Sequence, residues 1–423
     1  MIKRDLFKSM RTHLSQKEIT LIIGPRQAGK TTLMKALEWG LRQNGEKTLF
    51  LSLDIETDSR FFASQVSLLQ KIQLEIGAAK GYVFIDEIQR KENAGLFLKG
   101  IYDMDLPYKF IVSGSGSLEL KEKIHESLAG RKRVFELGTV SFEEFVHFKS
   151  QYRYENKLHE FFDLHPAQAR IFLEEYINFG GYPRVITAET RFEKQKINAE
   201  IFQSYIEKDI SYLLNVQKTE NFTALVRLIA SQIGNLVNYS ELSATLGLSH
   251  ETVKHYLWYL EKTFVLKKVT PFFSNIRKEL TKSPSYYFCD SGMRNYIAGT
   301  MGNSLEGSDA GFVFQNFVFG LLQKHLPVGL QTINFWRTKD GAEVDFVVSL
   351  GDRLLPIEVK FQEMKKPAVS RSFRSFLNAY KPISAVIVNL SLEQKTREQD
   401  AVVSFLPFWK VSKAMEEFYF ENA

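Results

Sequence analysis

Residues 19–32 read Ile-Thr-Leu-Ile-Ile-Gly-Pro-Arg-Gln-Ala-Gly-Lys-Thr-Thr, and this stretch decides the fold of the first part of the chain. A short apolar run ends in glycine and leads straight into G-x-x-x-x-G-K-T, the pattern of a P-loop between a strand and a helix. Glycines let the backbone wrap around phosphate oxygens, and the N–H groups at a helix N-terminus favour negative charge. The pattern therefore predicts a nucleotide-binding loop made of Gly24, Pro25, Arg26, Gln27, Ala28, Gly29, Lys30, Thr31 and Thr32.

Two residues of this loop and two beyond it are predicted to carry the chemistry. Lys30 would reach the β and γ phosphates of ATP, and Thr31 would offer its hydroxyl to Mg²⁺. Downstream, the apolar run Tyr82-Val83-Phe84-Ile85 leads into Asp86 and Glu87. Asp86 would hold Mg²⁺ through water, and Glu87 would polarise the water that attacks the γ phosphate. An exposed acidic turn after a core strand is the plainer alternative for this carboxylate pair.

Residues 1–150 alternate between short apolar runs and helical sequence. A helix is expected from Lys30 to about Gln43, where Asn44-Gly45 is a good stop pair. Apolar runs bounded by polar or glycine residues are typical of buried parallel strands, and their alternation with helices favours an α/β sheet flanked by helices. The further predicted strands lie at 48–53, 82–85, 109–112 and 133–137.

Length and composition limit the possible classes of protein. A chain of 423 residues with 44% hydrophobic and 25% charged residues predicts about two to four globular domains. The net charge of +6 and the pI of about 9.0 permit a nucleic-acid or other acidic partner without requiring one. The single cysteine, Cys289, excludes an intramolecular disulfide and a Cys-based zinc site. With no apolar signal core and no run of about 18 apolar residues, we expect a cytoplasmic protein without a membrane segment.

Residues 239–262 predict two helices separated by a glycine turn at Gly247. Ser240 and Ser249 suit the two N-cap positions, and the second helix is expected from His250 to about Lys262. A basic β-type segment follows, as in a winged helix-turn-helix whose second helix could enter a major groove of DNA. Winged helices also serve as protein-contact modules, and this alternative stays open. The basic segment contains Lys267, Lys268, Arg277, Lys278 and Lys282.

Residues 343–348 and 355–361 predict a β-hairpin. The period of two puts Glu358 and Lys360 on one face of the second strand. If this face coincides with the face that carries Asp345, the two carboxylates could hold a divalent metal while Lys360 positions or activates water. An inert hairpin with solvated ion pairs is the alternative.

Taken in order, the motifs of the chain resemble those of a set of bacterial and archaeal AAA-type ATPases that carry a C-terminal domain of uncertain function. The resemblance extends over nearly the whole length. Most of the motifs are short, and their order is what makes the resemblance specific. They are the P-loop, F-I-D-E-I-Q-R at 84–90, S-G-S at 113–115, L-A-G-R at 128–131, S-F-E-E-F at 141–145, G-G-Y-P at 180–183 and Y-F-C-D-S-G-M at 287–293.

The resemblance implies roles for further residues. Ser113 stands where such ATPases have a polar sensor of the γ phosphate, although serines at strand ends also form turns. Arg131 is the candidate cation that stabilises transition-state charge, in its own subunit or a neighbour's, with a surface arginine as the alternative. The spacing D-x₁₂-E-x-K that starts at Asp345 resembles the core of the restriction-endonuclease-like superfamily. Gln315 stands where such domains often have a glutamate, so this second site could be weak or inactive.

The predicted fold class is α/β, and the chain is predicted to contain a P-loop AAA-like core at 1–150, a helical lid at 151–222, a winged helix-turn-helix at 223–285 and an endonuclease-like domain at 286–423. The leading hypothesis is an Mg-dependent ATPase that couples its nucleotide state to the C-terminal half and acts on or near DNA. The second is an ATP-controlled switch that binds a protein partner without nucleic acid. The third is an ATP-regulated, metal-dependent nuclease. A cation supplied by a neighbouring subunit would require an oligomer.

Overall fold

The structure, a computed structural model, describes residues 1–115, 127–210, 220–273, 283–303, 305, 307, 309–326 and 332–420. Its first part alternates strands and helices, as predicted. The strands are β1 (Ile19–Gly24), β2 (Thr48–Ser52), β3 (Gly81–Asp86), β4 (Tyr108–Ser115) and β5 (Lys132–Glu136). The helices are α1 (Leu6–His13), α2 (Lys30–Gln43), α3 (Glu56–Ser59), α4 (Gln65–Glu75) and α5 (Ala94–Asp103), with 3₁₀ turns at Arg60–Phe62 and Ile88–Arg90.

These strands form one parallel sheet in the order β2-β3-β4-β1-β5. Strands β1, β3 and β4 are buried at every position, because apolar clusters pack on both faces of the sheet. This burial explains why they read as continuous apolar runs. Since β4 lies between β1 and β3, the carboxyl ends of all three strands meet at one edge. The prediction of a P-loop type α/β sheet is confirmed.

Glycines shape the loop between β1 and α2. Gly29 has a φ of +97°, in the region that favours glycine. A Cβ on Gly24 would lie 2.0 Å from the carbonyl oxygen of Leu137, so the chain that leaves β5 passes directly against the loop. Helix α2 begins at Lys30 and ends at Gln43, and both predicted bounds are confirmed.

A helical region follows the first sheet. It consists of α6 (Phe142–Lys149), α7 (Leu158–Leu164), α8 (Pro166–Phe179), α9 (Pro183–Thr187) and α10 (Arg191–Tyr205), which continues into a π-helical turn at Ile206–Ile210. Helix α6 begins with a capping box, in which the side chains of Ser141 and Glu144 accept hydrogen bonds from each other's backbone N–H groups. The G-G-Y-P motif at 180–183 forms the break between α8 and α9.

The next part follows the predicted order of helix, glycine turn, helix and β-type segment. It contains α11 (Glu220–Ser231), α12 (Tyr239–Leu246), α13 (His250–Lys262), β6 (Leu266–Val269) and β7 (Ser285–Phe288), and the two strands pair antiparallel. Ser249 caps α13 as predicted, because its hydroxyl accepts a hydrogen bond from the N–H of Thr252 at 3.0 Å. The cap predicted at Ser240 is wrong, since the side chain of Asn238 caps α12 instead. Three of the predicted basic residues lie outside the described residues, namely Arg277, Lys278 and Lys282.

The C-terminal part is built on a second, mixed sheet. Its strands are β8 (Ile333–Arg337), β9 (Glu343–Leu350), β10 (Arg353–Val359), β11 (Ser384–Asn389), β12 (Gln394–Glu398) and β13 (Ala401–Pro407), in the order β12-β13-β11-β10-β9-β8. Its helices are α14 (Ser291–Ile297), α15 (Ala310–Lys324), α16 (Arg371–Tyr380) and α17 (Val411–Phe420), with a 3₁₀ turn at Phe408–Lys410. Strands β9 and β10 form the predicted antiparallel hairpin, with Ile357 opposite Phe346.

A continuous apolar core joins the helical region to the C-terminal part. Its buried side chains include Phe145 of α6, Leu257 of α13, Phe314 of α15 and Ile357 of β10. Because this core crosses the boundaries expected from the sequence, the division into four domains stays a prediction. In the described part of the chain, no helix combines the length and the apolar character needed to cross a bilayer.

The G-G-Y-P break is fastened to the segment that follows β7. The carboxylate of Asp290 accepts hydrogen bonds from the N–H groups of Gly181 at 2.7 Å and Met293 at 2.9 Å. A Cβ on Gly180, whose φ is +80°, would lie 2.1 Å from Asp290 Oδ1. Glycine is therefore required at this position, both for its backbone conformation and for the close approach. This contact ties the helical region to the chain that leads into the second sheet.

Candidate functional site at the edge of the first sheet

The lysine of the P-loop lies inside its own loop. Lys30 is 5% exposed, and its ammonium group donates hydrogen bonds to the carbonyl oxygens of Gly24 at 3.0 Å and Pro25 at 2.9 Å. Thr31 lies in the first turn of α2, and its hydroxyl donates to Asp86 Oδ2 at 2.7 Å. The structure thus brings the loop and the predicted metal-binding carboxylate into direct contact.

Ser113 connects Asp86, the last residue of β3, with Glu87, which follows it. Its hydroxyl donates a hydrogen bond to Asp86 Oδ1 and accepts one from the backbone N–H of Glu87 at 3.3 Å. Because β4 lies between β1 and β3, Ser113 stands between the P-loop and Asp86. A polar side chain in this position lies at the same edge of the sheet as a phosphate that the P-loop would hold.

The carboxylate of Glu87 is held by a neighbouring amide. The side chain of Gln89 donates a hydrogen bond to Glu87 Oε2, and its oxygen accepts one from the backbone N–H of Ser115 at 3.2 Å. Glu87 also has a φ of +57°, which is unfavourable for a residue other than glycine. Strained backbone at such a residue is often found at functional sites, because the surrounding contacts must maintain it.

Two arginines that the sequence patterns did not reveal contact the P-loop. Arg184 directly follows G-G-Y-P, and its guanidinium donates to the side-chain oxygen of Gln27 at 3.2 Å. Arg4 donates to the carbonyl oxygen of Ala28 at 3.0 Å. In the sequence, the position of Arg184 directly after G-G-Y-P was the one indication of a functional role for this residue. The sequence around Arg4 gave no such indication.

Arg131 lies far from the P-loop of its own chain. Its carbonyl oxygen accepts a hydrogen bond from the N–H of Ile19 at the amino end of β1, whereas the P-loop follows the carboxyl end. The six residues of β1 separate the two ends by about 20 Å. The guanidinium pairs instead with Asp103 at 2.7 Å. This geometry does not bring Arg131 to the P-loop of its own subunit, and its role as the stabilising cation stays a prediction.

The hairpin of the second sheet brings the residues of the predicted C-terminal site together. Asp345 Oδ2 accepts a hydrogen bond from the N–H of Val359 at 2.7 Å, next to Glu358. Lys360 forms an ion pair with Glu358 at 2.6 Å, and Gln315 donates to Asp345 Oδ1 at 3.0 Å. The polar faces of the two strands therefore coincide. An amide group, not a third carboxylate, completes the cluster.

This cluster is a modest set of ligands for a metal ion. Within the described ranges, no group of three His, Cys, Asp or Glu side chains is arranged to hold a metal. Glu358 is already neutralised by Lys360 and accepts a hydrogen bond from Ser370 at 3.0 Å. A divalent cation would have to compete with these contacts, and two carboxylates bind it less strongly than three.

Asp345 has a strongly perturbed acid–base equilibrium. Burial raises the pKa of its carboxyl group to about 7, the charge of Glu358 adds to this effect, and the N–H of Val359 opposes it. Since the folded protein holds this proton more tightly than the unfolded chain does, unfolding releases it between about pH 4 and pH 7. The protonated carboxyl therefore contributes stability at low pH that is lost as the pH rises through this window.

Replacing Asp345 with Asn is expected to remove this loss of stability. The amide stays neutral at every pH and still offers an oxygen to Val359, so the variant should gain about 1–3 kcal/mol over the wild type between pH 5 and pH 8. Urea unfolding at pH 5 and pH 8 measures the difference in the free energy of unfolding between the variant and the wild type. Asp340→Asn makes the same change at an exposed position and serves as the control. The same gain in both variants would contradict the assignment to Asp345.

Comparisons with known protein families agree with the P-loop type fold of the first sheet. Residues 16–146 match a family model described as AAA domain. Residues 171–304 and 310–411 match models that are each described as a domain of unknown function, DUF8612 and DUF4143 respectively. The first sheet lies within the region that matches the AAA domain model, and its parallel five-stranded order is like that of P-loop AAA-type ATPases. The second sheet lies within the region that matches the DUF4143 model.

Relatives of similar length occur in bacteria and archaea. The chain is 27% identical over 378 residues to an uncharacterized protein of Mycobacterium tuberculosis, which covers 89% of this chain and 77% of that protein. It is 24% identical over 433 residues to an uncharacterized protein of Methanocaldococcus jannaschii, with 97% and 91% covered. Among solved structures, the Aeropyrum pernix Orc1 protein in complex with DNA matches at 12% identity and a TM-score of 0.30, over 71% of this chain and 91% of that chain. The names of the two relatives assign no activity.

Proposed function

We propose that this protein binds ATP together with Mg²⁺ and hydrolyses the γ phosphate. One observation carries the proposal: a chain of hydrogen bonds runs along one edge of the first sheet, from Thr31 of the P-loop to Asp86, from Asp86 to Ser113, and from Ser113 to the backbone N–H of Glu87. Thr31 and Asp86 would hold Mg²⁺, and the 2.7 Å contact between their oxygens supports this pairing. The bound cation would neutralise phosphate charge.

Each of these side chains has a defined task in the proposed reaction. Lys30 would exchange its two loop carbonyls for oxygens of the β and γ phosphates, and so stabilise charge in a site with little water. Glu87 would leave Gln89 and accept a proton from the water that attacks the γ phosphorus. Ser113 contacts both Asp86 and the backbone of Glu87, so a phosphate that moves Ser113 would also move the base.

Arg184 is proposed as a second cation that, together with Lys30, stabilises charge on the γ phosphate within one subunit. It contacts Gln27 of the P-loop at 3.2 Å and pairs with Glu200 at 3.1 Å. Replacing Arg184 with Ala is expected to lower kcat at least about tenfold, with a smaller effect on ATP affinity, because the lost charge acts mainly on the transition state. Steady-state ATPase kinetics and equilibrium ATP binding measure the two quantities.

Glu200→Gln is the matched control for this variant. It removes the ion pair of Arg184 but leaves the guanidinium beside Gln27, so turnover should stay close to that of the wild type. Unchanged turnover in Arg184→Ala would assign the charge stabilisation to another cation, such as Arg131 of a neighbouring subunit.

The nucleotide state is proposed to control the winged-helix-like unit formed by α11–β7, which could contact DNA through α13. This helix exposes Lys254 and His255 to solvent. The turn after it inserts Phe264 into the apolar cluster of the first sheet, and Lys267 pairs with Glu136 of β5 at 3.3 Å. A rearrangement of the ATPase sheet would therefore act directly on this unit.

Two alternatives have less support. An ATP-controlled switch that binds another protein would use the same contacts without any nucleic acid. A metal-dependent nuclease would use Asp345, Glu358 and Lys360, next to a cleft that Lys365 and Lys366 also line. The amide of Gln315 beside Asp345 speaks against strong metal binding.

ATP hydrolysis by the purified protein, with and without Mg²⁺ and duplex DNA, tests the proposal. We expect turnover that requires Mg²⁺ and increases with DNA, together with DNA binding that weakens as salt increases. Tight ATP binding without turnover in either condition would favour the protein switch. DNA cleavage that is lost in Asp345→Ala and kept in Lys30→Ala would favour the nuclease. Failure to bind ATP would refute the proposal.

A further inference from the structure

The segment before α1 reaches the P-loop through Arg4. The guanidinium of Arg4 donates hydrogen bonds to the carbonyl oxygens of Ala28 at 3.0 Å, Gly138 at 2.9 Å and Thr139 at 3.0 Å. Ala28 belongs to the P-loop and is fully buried, whereas Gly138 and Thr139 belong to the link between β5 and α6. Arg4 therefore fastens the loop to a segment that is distant in sequence.

Glu144 holds Arg4 in this position. Its carboxylate accepts hydrogen bonds from Arg4 Nε at 3.0 Å, from the N–H of Asp5 at 2.7 Å and from the N–H of Ser141 at 2.9 Å. The side chains of Arg4 and Glu144 are only 9% and 6% exposed. The guanidinium cannot move away from Ala28 without leaving several buried polar groups unpaired, which makes this arrangement rigid.

The C-terminal part of the chain reaches the same segment. Lys324, at the end of α15, pairs with Asp5 at 2.8 Å and with Glu143 at 3.1 Å. Burial opposes the charge of Lys324, but Glu143 and Asp5 outweigh it and raise the pKa of the ammonium group. Since Asp5 follows Arg4 directly, the contact with the second half of the chain and the contact with the P-loop share one short segment.

We propose that Arg4 is a positioning residue that sets the shape of the P-loop before a nucleotide arrives, an inference that rests on the proposed ATP site. The peptide group between Ala28 and Gly29 is planar and trans, so its C=O and N–H point in opposite directions. When Arg4 holds the carbonyl of Ala28, the N–H of Gly29 is turned to the other side, into the loop. That is the direction in which a P-loop N–H must point to bind a phosphate.

Replacing Arg4 with Ala is expected to weaken ATP binding about tenfold, because the loop would have to be ordered at the moment of binding. Arg4→Lys should restore part of the affinity, since an ammonium group can reach one carbonyl but cannot serve all four acceptors. It also keeps the test available if the alanine variant does not fold. Hydrogen exchange of the nucleotide-free protein gives a second readout. The amides of residues 28–30 should exchange faster in Arg4→Ala, while those of β3 keep their rates.

Lys324→Ala is the matched control, because it removes ion pairs to the same segment without touching the P-loop. Its ATP affinity and loop exchange should equal those of the wild type. If the amides of residues 28–30 exchange in Arg4→Ala as slowly as in the wild type, the inference is overturned. Equal losses of ATP affinity and of amide protection in Lys324→Ala would also overturn it, because they would indicate a general destabilisation of this segment. If the wild type itself fails to bind ATP, the proposed function is refuted, and the exchange measurement still decides whether Arg4 shapes the loop.

Discussion

Glu87→Gln is expected to reduce ATP turnover at least about 100-fold, while ATP still binds. The amide cannot accept a proton from the attacking water, and a positioned base contributes a factor of about 10²–10⁴ to such reactions. The substitution preserves the size of the side chain and its position beside Gln89. Lys30 and the N–H groups of the P-loop would hold the phosphates as before, so affinity should change little.

Phosphate release under steady-state conditions and equilibrium binding of a non-hydrolysable ATP analogue distinguish the two effects. Glu92→Gln makes the same chemical change at an exposed side chain shortly after Glu87 and serves as the control. Turnover close to that of the wild type in Glu87→Gln would exclude Glu87 as the base. A parallel loss of binding and turnover would show that Glu87 supports the loop rather than the chemistry.

The edge of the first sheet could be predicted because its signals are local in the sequence. Lys30 and Thr31 follow a glycine loop, and Asp86 and Glu87 follow a buried strand. Parallel strands bring their carboxyl ends to a common edge, so residues that are far apart in sequence but similarly located relative to a strand meet there. The same rule accounts for Ser113, which lies near the end of β4.

The arginines around the P-loop could not be predicted in this way, because tertiary structure alone makes their contacts. Arg184 reaches Gln27 across 157 positions, and Arg4 reaches Ala28 across 24. An arginine in a single sequence carries no mark of a partner at such distances. Arg131 is the opposite case: a motif identified the residue, but the residue does not contact the P-loop. The pairing of β1 with β5 places it at the other edge of the sheet.

In the second half of the chain, the alternation of side chains along a strand was a better guide to the structure than the residues that mark the start of a helix. Because side chains alternate along a strand, the face shared by Glu358 and Lys360 followed from the sequence, whereas its coincidence with the face that carries Asp345 depends on the register of β9 and β10. The contact from Gln315 could be expected only through family resemblance, since α15 and β9 are not neighbours in sequence. The N-cap of α12 was predicted at the wrong residue because Asn238 and Ser240 are both favourable N-cap residues. The sequence alone does not distinguish between them.

Asp290→Ala is expected to destabilise the folded protein by about 3–5 kcal/mol. The substitution would leave the buried N–H groups of Gly181 and Met293 without acceptors, at a cost of about 1–3 kcal/mol each. It would also remove the side chain that caps α14. Burial raises the pKa of Asp290 although these N–H groups oppose the shift, so the carboxylate and its donors depend on each other.

Urea unfolding followed by circular dichroism measures this loss, with Ser291→Ala as the matched control. Ser291 is the next residue and makes one hydrogen bond to the carbonyl of Tyr176 at 3.2 Å, so its removal should cost about 1 kcal/mol. Asp290→Asn should lie between the two, because its oxygen can accept one N–H while its amide group faces the other donor. Equal effects of the Asp290 and Ser291 substitutions to Ala would mean that the carboxylate does not fasten the G-G-Y-P break. In that case the break, and Arg184 beside it, would be located by apolar packing alone.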